Sequence, residues 1–229
     1  MATYRIGVFA SGGGSNLQAI MDRIRTGELP AEIGFVLSNN SKSGALAKAG
    51  VFGAPAFHVS GLSEGGEEKA AARMLALIDS QRIELLVLAG YMKVVPPAVL
   101  GRLKNRVLNI HPALLPAFGG QGYYGHKVHA GVVARGCQYS GITIHMVNER
   151  YDEGQIVLQR TVPVAPGSTA DQVGADVLKL EHAWYWRAVW GFAMGAIRPT
   201  ASDEPGMAVD ASAFLAGIPG DGRDLRVGQ

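Results

Sequence analysis

At 229 residues, the chain is long enough to bury a substantial core, as one large domain or two small ones. Its apolar share of 48%, its charged share of 17% and its net charge of +2 are those of a globular protein rather than a disordered one. A single cysteine excludes an intrachain disulfide and a multi-cysteine metal site. No apolar run reaches the roughly 18 residues that a membrane span needs.

The charge is unevenly spread along the chain. Residues 201–229 contain five acidic and two basic residues, a net charge of −3, which leaves residues 1–200 at +5. This mild excess suits a small anionic ligand and falls short of the basic surface of a nucleic-acid binder. Because no signal-peptide pattern opens the chain, we expect a cytoplasmic protein without nucleic-acid or membrane partners, either a monomer or a homodimer.

The first half of the chain alternates predicted strands with predicted helices. The β-rich segment 4–10 runs into the glycine-rich loop 11–16 and then into a segment with helical spacing, which predicts a strand, a loop and a helix. A continuous apolar run at 84–89 is typical of a parallel strand buried on both faces. Further strands are predicted at 31–38 and 56–59, and helices at 43–49, 67–81 and 96–103.

The loop Ser11–Asn16 has the position and composition of a phosphate-binding turn. At a strand-to-helix junction the backbone N–H groups and the helix dipole favour an anion, and three consecutive glycines let the backbone approach it closely. Ser15 and Asn16 could donate further hydrogen bonds or could instead cap the helix. The spacing is neither the dinucleotide fingerprint nor a P-loop. We therefore expect phosphate binding here, with a plain capped turn as the alternative.

A strand predicted over 107–111 places Asn109 and His111 at its end, just before Pro112. Residues two apart in a strand point to the same face, so the amide and the imidazole would leave the strand side by side. Such a pair can stabilise a developing oxyanion and move a proton. Taken alone, the pattern fits a structural, hydrogen-bonded histidine at least as well.

The second half of the chain completes a predicted α/β fold. We predict a glycine-rich loop at 116–124, a helix at 127–135, an antiparallel strand pair at 140–147 and 155–164, and a helix at 170–194 that carries all three tryptophans. The whole pattern predicts a doubly wound, Rossmann-like sheet, mostly parallel, with a late antiparallel pair. Residues 1–200 would form the catalytic domain. Residues 201–229, rich in Gly, Pro and Asp, would form a tail that is loosely packed or docked on the surface.

Three polar residues in this half allow two interpretations each. Asp152 lies in a polar loop between two strands, where it either shapes a turn or controls the charge of a histidine. His145 lies on an alternating strand and is either a packed, hydrogen-bonded residue or a possible support for the site. Glu181 lies within the long helix and either contacts a ligand or faces solvent. The six histidines form no recognised metal-ligand pattern, so we expect no metal.

Four stretches of the chain resemble, in their order, the phosphoribosylglycinamide formyltransferase family. They are SGGGSNL at 11–17, LAGYM at 88–92, NIHPALLP at 109–116, and GITIHMV at 141–147 leading to Asp152-Glu153-Gly154. The resemblance covers roughly residues 5–198 and implies the formyltransferase fold. It also implies an enzyme of purine synthesis that uses 10-formyltetrahydrofolate as co-substrate and glycinamide ribonucleotide as formyl acceptor.

The resemblance further implies a role for each candidate residue. The substrate amine would attack the formyl carbon directly and create an oxyanion. Asn109 and a protonated His111 would donate to that oxygen, while Asp152 would hold His111 charged and assist proton transfer. The substrate would be bound by Gly13, Gly14, Ser15, Asn16 and Glu181, and the pterin of the folate by Leu88, Met92, Val95 and Tyr151.

The chain departs from the commoner family pattern in two places, the loop 117–126 and the tail 201–229.

Three other classes of protein share parts of this sequence pattern. A formyltetrahydrofolate hydrolase carries an extra domain ahead of the catalytic one, and a methionyl-tRNA formyltransferase adds a basic RNA-binding domain after it. A non-catalytic nucleotide-binding module on the same scaffold would not need Asn109, His111 and Asp152 together.

Overall fold

The structure is a computed structural model that describes residues 3–200 and 208–217. Its strands are β1 (Tyr4–Phe9), β2 (Ala31–Ser38), β3 (Ala56–His58), β4 (Leu85–Leu88), β5 (Val107–His111), β6 (Tyr139–Met146), β7 (Ile156–Pro163), β8 (Arg198–Pro199) and β9 (Val209–Asp210). Its helices are α1 (Ser15–Arg25), α2 (Gly44–Phe52), α3 (Gly61–Glu64), α4 (Glu67–Ser80), α5 (Pro97–Arg102), α6 (His126–Ala134), α7 (Ala170–Ala193) and α8 (Ser212–Gly217).

The first seven strands form one sheet in the order β3-β2-β1-β4-β5-β6-β7. Strands β1 to β5 are parallel to one another, and β6 pairs antiparallel with both β5 and β7. The predicted fold, a mostly parallel sheet with a late antiparallel pair, is confirmed. Its strand order reverses between β1 and β4, the place where open α/β sheets bind their ligands.

The sheet is covered on both faces, as its apolar strands require. One apolar cluster contains the buried faces of α1, α2 and α7, and the other contains those of α4 and α5. All four residues of β4 are buried, which explains its uninterrupted apolar sequence. None of the helices within the described ranges is long and apolar enough to cross a membrane.

Helix α7 is fixed across the middle of the sheet. It begins with a capping box in which Thr169 and Gln172 satisfy each other's backbone N–H groups. Further along, the hydroxyl of Tyr185, fully buried, lies 2.9 Å from the carbonyl oxygens of both Leu88 and Leu108. Since these carbonyls belong to β4 and β5, the hydroxyl fastens the helix to two neighbouring strands. Glu181, one turn earlier, is thereby held near the same strand ends.

The boundaries of the predicted strands and helices agree with the observed ones to within a few residues. Helix α3 was not predicted, and the prediction for the tail was incomplete. The missed helix, α3, is a single turn held by a capping box between Ser60 and Ser63. Sequence alone left open whether the tail packs loosely or docks. Residues 208–217 dock, because β9 pairs with β8 and Phe214 of α8 is fully buried. The rest of the tail lies outside the described residues.

Candidate active site

The candidate residues gather at the carboxyl ends of β1, β4 and β5. The glycine-rich loop follows β1, and the segment 89–95 follows β4. These loops contact each other, since the N–H of Ser11 donates to the carbonyl of Gly90 at 3.0 Å. The Ser11 hydroxyl also accepts from the N–H of Met92 at 2.8 Å. The site therefore lies at the point where the strand order reverses, as the doubly wound fold predicts.

The glycine-rich loop presents an uncapped helix start. Gly14 has a left-handed backbone with φ of 72°, and a Cβ there would lie 2.9 Å from the Cα of Ala45, so only glycine fits. Gly14 is also the residue before α1, and it offers no side chain to cap the helix. The first turn of α1 contains no acidic residue, and Ser15 is exposed. The first N–H groups and the helix dipole can therefore hold an anion.

Asn16 and Glu181 meet beside this loop. The Nδ2 of Asn16 donates to the Oε2 of Glu181 at 2.7 Å, although the two residues are far apart in sequence. Asn16 is buried, and its Oδ1 has no hydrogen-bond partner within the described part of the chain. Burial raises the pKa of Glu181 from 4.5 to about 7 and outweighs the opposing hydrogen bond from Asn16. The pair therefore offers an acceptor oxygen and a carboxyl group that changes charge near neutral pH.

Replacing Glu181 with glutamine should stabilise the fold at neutral and alkaline pH. Glutamine keeps an oxygen for Asn16 and removes a charge that burial disfavours. Because the folded-state pKa of Glu181 is raised, its protonation stabilises the fold below the ordinary value of 4.5, and this contribution disappears as pH rises through about 7. We expect Glu181→Gln to gain about 1 to 3 kcal/mol in the free energy of unfolding above pH 7, at about 1.4 kcal/mol per pKa unit.

Urea denaturation near pH 8 and near pH 4.5 measures this effect, with Glu149→Gln, an exposed glutamate, as the control. The gain should be absent at the lower pH and absent in the control at either pH. An equal gain at both pH values would show that burial does not raise the pKa of Glu181.

The second group of candidates is brought together by the β5–β6 pairing. In that antiparallel register Asn109 lies opposite His145, and His111 lies opposite Thr143. The Nδ2 of Asn109 is 3.1 Å from the Nε2 of His145. Asp152 lies 3.5 Å from the Nδ1 of His111 through one carboxylate oxygen and 3.6 Å from the Nε2 of His145 through the other. Asn109, His145, Asp152 and His111 thus form one connected cluster, which we call the catalytic cluster.

The hydrogen-bond partners of His145 orient the amide of Asn109. The Nδ1 of His145 lies 2.9 Å from the carbonyl oxygen of Met146, which can only accept, so Nδ1 carries a hydrogen. In the neutral ring Nε2 is then an acceptor, and the Nδ2 of Asn109 donates to it. The second hydrogen on that Nδ2 remains for another acceptor. His145 therefore holds the side-chain amide of Asn109 in one orientation.

His111 is buried and is held by the loop that follows β5. Its Nε2 donates to the carbonyl of Phe118 at 2.8 Å. Burial lowers the pKa of His111 and outweighs both Asp152 and the Phe118 carbonyl, which act to raise it. This corrects the expectation that Asp152 holds His111 in its charged form, because desolvation favours the neutral ring. The two acceptors are nevertheless placed to stabilise the ring if it gains a proton.

Asp152 occupies a left-handed turn, with φ of 57°, in the loop between β6 and β7. One of its oxygens accepts from the N–H of Gly120 at 2.9 Å. Burial acts to raise the pKa of Asp152, but His145, His111 and the Gly120 N–H outweigh it and bring that pKa below its ordinary value. Asp152 is therefore a carboxylate at neutral pH. No set of three or more His, Cys, Asp or Glu side chains in the described ranges is placed to hold a metal ion.

Several contributors to the cluster are not evident in the sequence. The loop 117–126 supplies a carbonyl from Phe118 and an N–H from Gly120, and backbone atoms leave no side-chain pattern to detect. Thr143 accepts from the N–H of Leu115 at 2.9 Å and donates to the carbonyl of Ala113 at 2.7 Å, which fixes the chain just after His111. The alternation of β6, which places Thr143 and His145 on one face, could have indicated this residue.

The residues assigned to a pterin slot lie at the end of β4, on the segment after it and in the loop that carries Asp152. Leu88 and Val95 are buried in the same apolar cluster. Met92 and Tyr151 are about half exposed, at 51% and 53%, on the segment after β4 and in the loop that carries Asp152. Exposed apolar side chains on these two loops are what a flat aromatic ligand needs, and the assignment stays a prediction.

Comparisons with known proteins place the chain among formyl transferases. The sequence profile of the formyl transferase family matches residues 4–189. The chain is 39% identical over 188 residues to a chloroplastic phosphoribosylglycinamide formyltransferase of Vigna unguiculata, a match covering 81% of this chain and 59% of that protein. It is 35% identical over 196 residues to the phosphoribosylglycinamide formyltransferase of Haemophilus influenzae, covering 85% of this chain and 89% of that protein. The chain thus spans about three fifths of the length of the plant relative.

Solved structures share the fold. Glycinamide ribonucleotide transformylase 1 from Symbiobacterium toebii superposes with a TM-score of 0.80 at 35% identity, over 87% of this chain and 92% of that one. A formyltetrahydrofolate deformylase from Pseudomonas syringae superposes with a TM-score of 0.78 over 87% of this chain and 64% of that one, at only 24% identity. The second likeness shows a common fold and no more.

Proposed function

The chain belongs to the formyl transferase family, and on that premise we propose that it transfers the formyl group of 10-formyltetrahydrofolate to the amine of glycinamide ribonucleotide in purine synthesis. The observation that carries the proposal is the catalytic cluster of Asn109, His145, Asp152 and His111 beside an uncapped, glycine-rich helix start. One part can bind a phosphate, and the other can stabilise an oxyanion and move a proton. The names of the relatives agree with this combination.

The glycine-rich loop would bind the phosphate of the nucleotide. Gly13, Gly14 and Ser15 would donate backbone N–H groups, and the exposed Ser15 would add its hydroxyl. A cavity of about 400 Å³ along α1 is lined by Ser15, Lys48, Arg23 and Asp22 among others, so cationic groups are close. Asn16 and Glu181 would contact the ribose or glycinamide end, because the free Oδ1 of Asn16 needs a donor and Glu181 offers another acceptor.

Replacing Ser15 with alanine should raise the KM for glycinamide ribonucleotide by about tenfold to a hundredfold, the effect of about one lost hydrogen bond to a charged group. The turnover number should stay unchanged, since the phosphate is bound equally in the ground and transition states. Steady-state kinetics with each substrate varied in turn measure this. Alanine at Ser80, an exposed residue at the end of α4, is the control. An unchanged KM would remove Ser15 from the phosphate site.

The reaction would begin with direct attack of the substrate amine on the formyl carbon. Attack places negative charge on the formyl oxygen, and the second N–H of Asn109 would donate to that oxygen. Because His145 already holds the amide, little reorganisation is required as the charge develops. A preorganised donor of this kind is worth about 2.7–4 kcal/mol of the barrier in comparable acyl-transfer sites.

His111 and Asp152 would handle charge and protons. His111 would start neutral, because burial lowers its pKa. As the neighbouring oxyanion develops, it would be drawn toward its charged form by receiving on Nδ1 the proton that Asp152 takes from the attacking amine. Its Nδ1 faces Asp152 and its Nε2 faces the Phe118 carbonyl, so both N–H groups of the charged ring would have acceptors. Asp152, a carboxylate, would take the proton from the attacking amine and assist its passage to N10 of the departing folate.

The folate would lie against the segment after β4. Leu88 and Val95 would form the apolar floor of the pterin slot, with Met92 and Tyr151 along its exposed edges. The hydrogen bonds of Ser11 to Gly90 and Met92 connect this segment to the phosphate loop. The two substrates would therefore be bound by loops whose relative position is fixed.

An assay of tetrahydrofolate release tests the function and separates the alternatives. The protein is incubated with 10-formyltetrahydrofolate, with and without glycinamide ribonucleotide. Release only when the nucleotide is present, with formylated nucleotide as product, supports the transferase. Release without the nucleotide would identify a hydrolase instead. No release in either case would leave a nucleotide-binding module and would refute both enzyme interpretations.

A further inference from the structure

The docked part of the tail contacts the strand that follows the Asp152 loop. Gln155 stands just before β7, and its side chain makes two hydrogen bonds to the backbone of Val209 in β9. The Val209 N–H donates to the Oε1 of Gln155 at 2.6 Å, and the Nε2 of Gln155 donates to the Val209 carbonyl at 2.8 Å. These two bonds have the same donor and acceptor pattern as a hydrogen-bonded residue pair between antiparallel strands.

Two further features hold Val209 in place. Val209 is 4% exposed and pairs with Pro199 of β8. Phe214 of α8 is fully buried, and a Cβ added to Gly191 of α7 would lie 2.7 Å from its ring, so α8 packs directly on α7. Val209 and Phe214 therefore anchor the segment 208–217 on the core.

Gln155 is also the end of the loop that carries Asp152. Its own carbonyl accepts from the N–H of Met146 at 2.8 Å, which closes the loop between β6 and β7. At Gly154 an added Cβ would lie 1.7 Å from the Met146 carbonyl oxygen, so the base of the loop is tightly packed. Asp152 is three residues from Gln155, and between them the chain has little freedom.

We propose that Gln155 and the C-terminal segment 208–217 act as a positioning device for Asp152, so that the tail takes part in catalysis without touching a substrate. This rests on the proposed function, in which Asp152 transfers the proton. Asp152 otherwise accepts from the Gly120 N–H, and two ring nitrogens lie 3.5 Å and 3.6 Å from its carboxylate oxygens. These last two distances exceed that of a good hydrogen bond, so small shifts of the loop change how the carboxylate meets both rings.

Replacing Gln155 with alanine tests the device. It removes both hydrogen bonds to Val209 and leaves the buried side chains of the segment in place. Catalytic groups displaced by about 1 Å can lose up to about a hundredfold in rate, so we expect kcat to fall by about tenfold or more. The KM for glycinamide ribonucleotide should change by less than about twofold, because the phosphate loop is not involved.

The matched control is Asn105→Gly. The Asn105 side chain also bonds to the backbone near the tail, donating to the Thr200 carbonyl at 3.2 Å. It lies before β5, at the opposite end of that strand from the catalytic cluster, and glycine accepts its left-handed backbone, with φ of 57°. This control should keep the kcat of the wild type. Hydrogen exchange of peptides spanning 148–154 should be faster in Gln155→Ala and unchanged in Asn105→Gly.

The outcomes separate this inference from the proposed function. If the wild type has no transferase activity, the proposed function fails, and faster exchange in Gln155→Ala still supports the device. If the wild type is active, an unchanged kcat in Gln155→Ala overturns the device. Equal losses of kcat in both variants would also overturn it, because the tail would then contribute stability alone.

Discussion

Asp152→Asn should lower kcat by about 10²–10⁴-fold and leave the fold intact, the range that a positioned acid or base contributes. Asparagine has the same shape, and its oxygen can still accept from the Gly120 N–H, so the loop keeps that anchor. What is lost is the negative charge that stabilises a charged His111 and the group that accepts the proton of the amine. Steady-state kinetics and urea denaturation of the same preparation measure both properties.

Glu153→Gln is the matched control for this prediction. Glu153 is the next residue in the same loop, is exposed, and undergoes the same loss of one charge. Its kcat should stay within about twofold of the wild type, since a surface charge paired with Arg150 contributes little. Equal losses in the two variants would indicate a general effect of loop charge and not a role for the Asp152 carboxylate. A loss of cooperative unfolding in Asp152→Asn would indicate a residue needed for folding instead.

The fold was largely predictable because its strands and helices are encoded locally. The apolar run that forms β4 and the glycine-rich loop after β1 each specify a local structure without help from distant residues. Alternating strands and helices then leave few arrangements, of which the doubly wound sheet is the common one. Helix α3 was missed because a single turn held by two serines has no periodicity to detect.

The catalytic cluster was only partly predictable. Asn109 and His111 follow from the period of a strand, and the sequence resemblance added Asp152. The protonation state of His111 could not be predicted, because it depends on burial, which lowers the pKa against the pull of Asp152. The contacts from Phe118 and Gly120 come from backbone atoms of a loop whose path no local pattern determines.

The hydrogen bonds between Gln155 and the tail could not be predicted either, because they join residues that are far apart in the sequence. Gln155 and Val209 are 54 positions apart, and the glutamine had no local signal of its own. The composition of 201–229, rich in Gly, Pro and Asp, left open whether the tail packs loosely or docks on the surface. The buried side chains of Val209 and Phe214, together with the pairing of β9 and β8, dock residues 208–217 on the core. The average composition of a segment does not show which of its individual residues will be buried.

Asn109→Ala should lower kcat by about 10²–10³-fold, with a change of less than about threefold in either KM, since the lost donor acts on a charge present only in the transition state. The variant also leaves the Nε2 of His145 without its donor, which should cost about 1–3 kcal/mol of stability. Kinetics are therefore measured well below the unfolding transition of the variant. A raised KM with unchanged kcat would make Asn109 a ground-state binding residue and would remove the oxyanion role.

A double-mutant cycle with His145→Ala tests whether the histidine acts through Asn109. His145 fixes the amide through its Nε2 and also approaches Asp152. His145→Ala alone should lose both effects, whereas in the Asn109→Ala background it can lose only the part that involves Asp152. The effect of removing His145 should therefore be at least about fivefold smaller in that background, a coupling of about 1 kcal/mol. Multiplicative losses would show that the amide of Asn109 is positioned without His145.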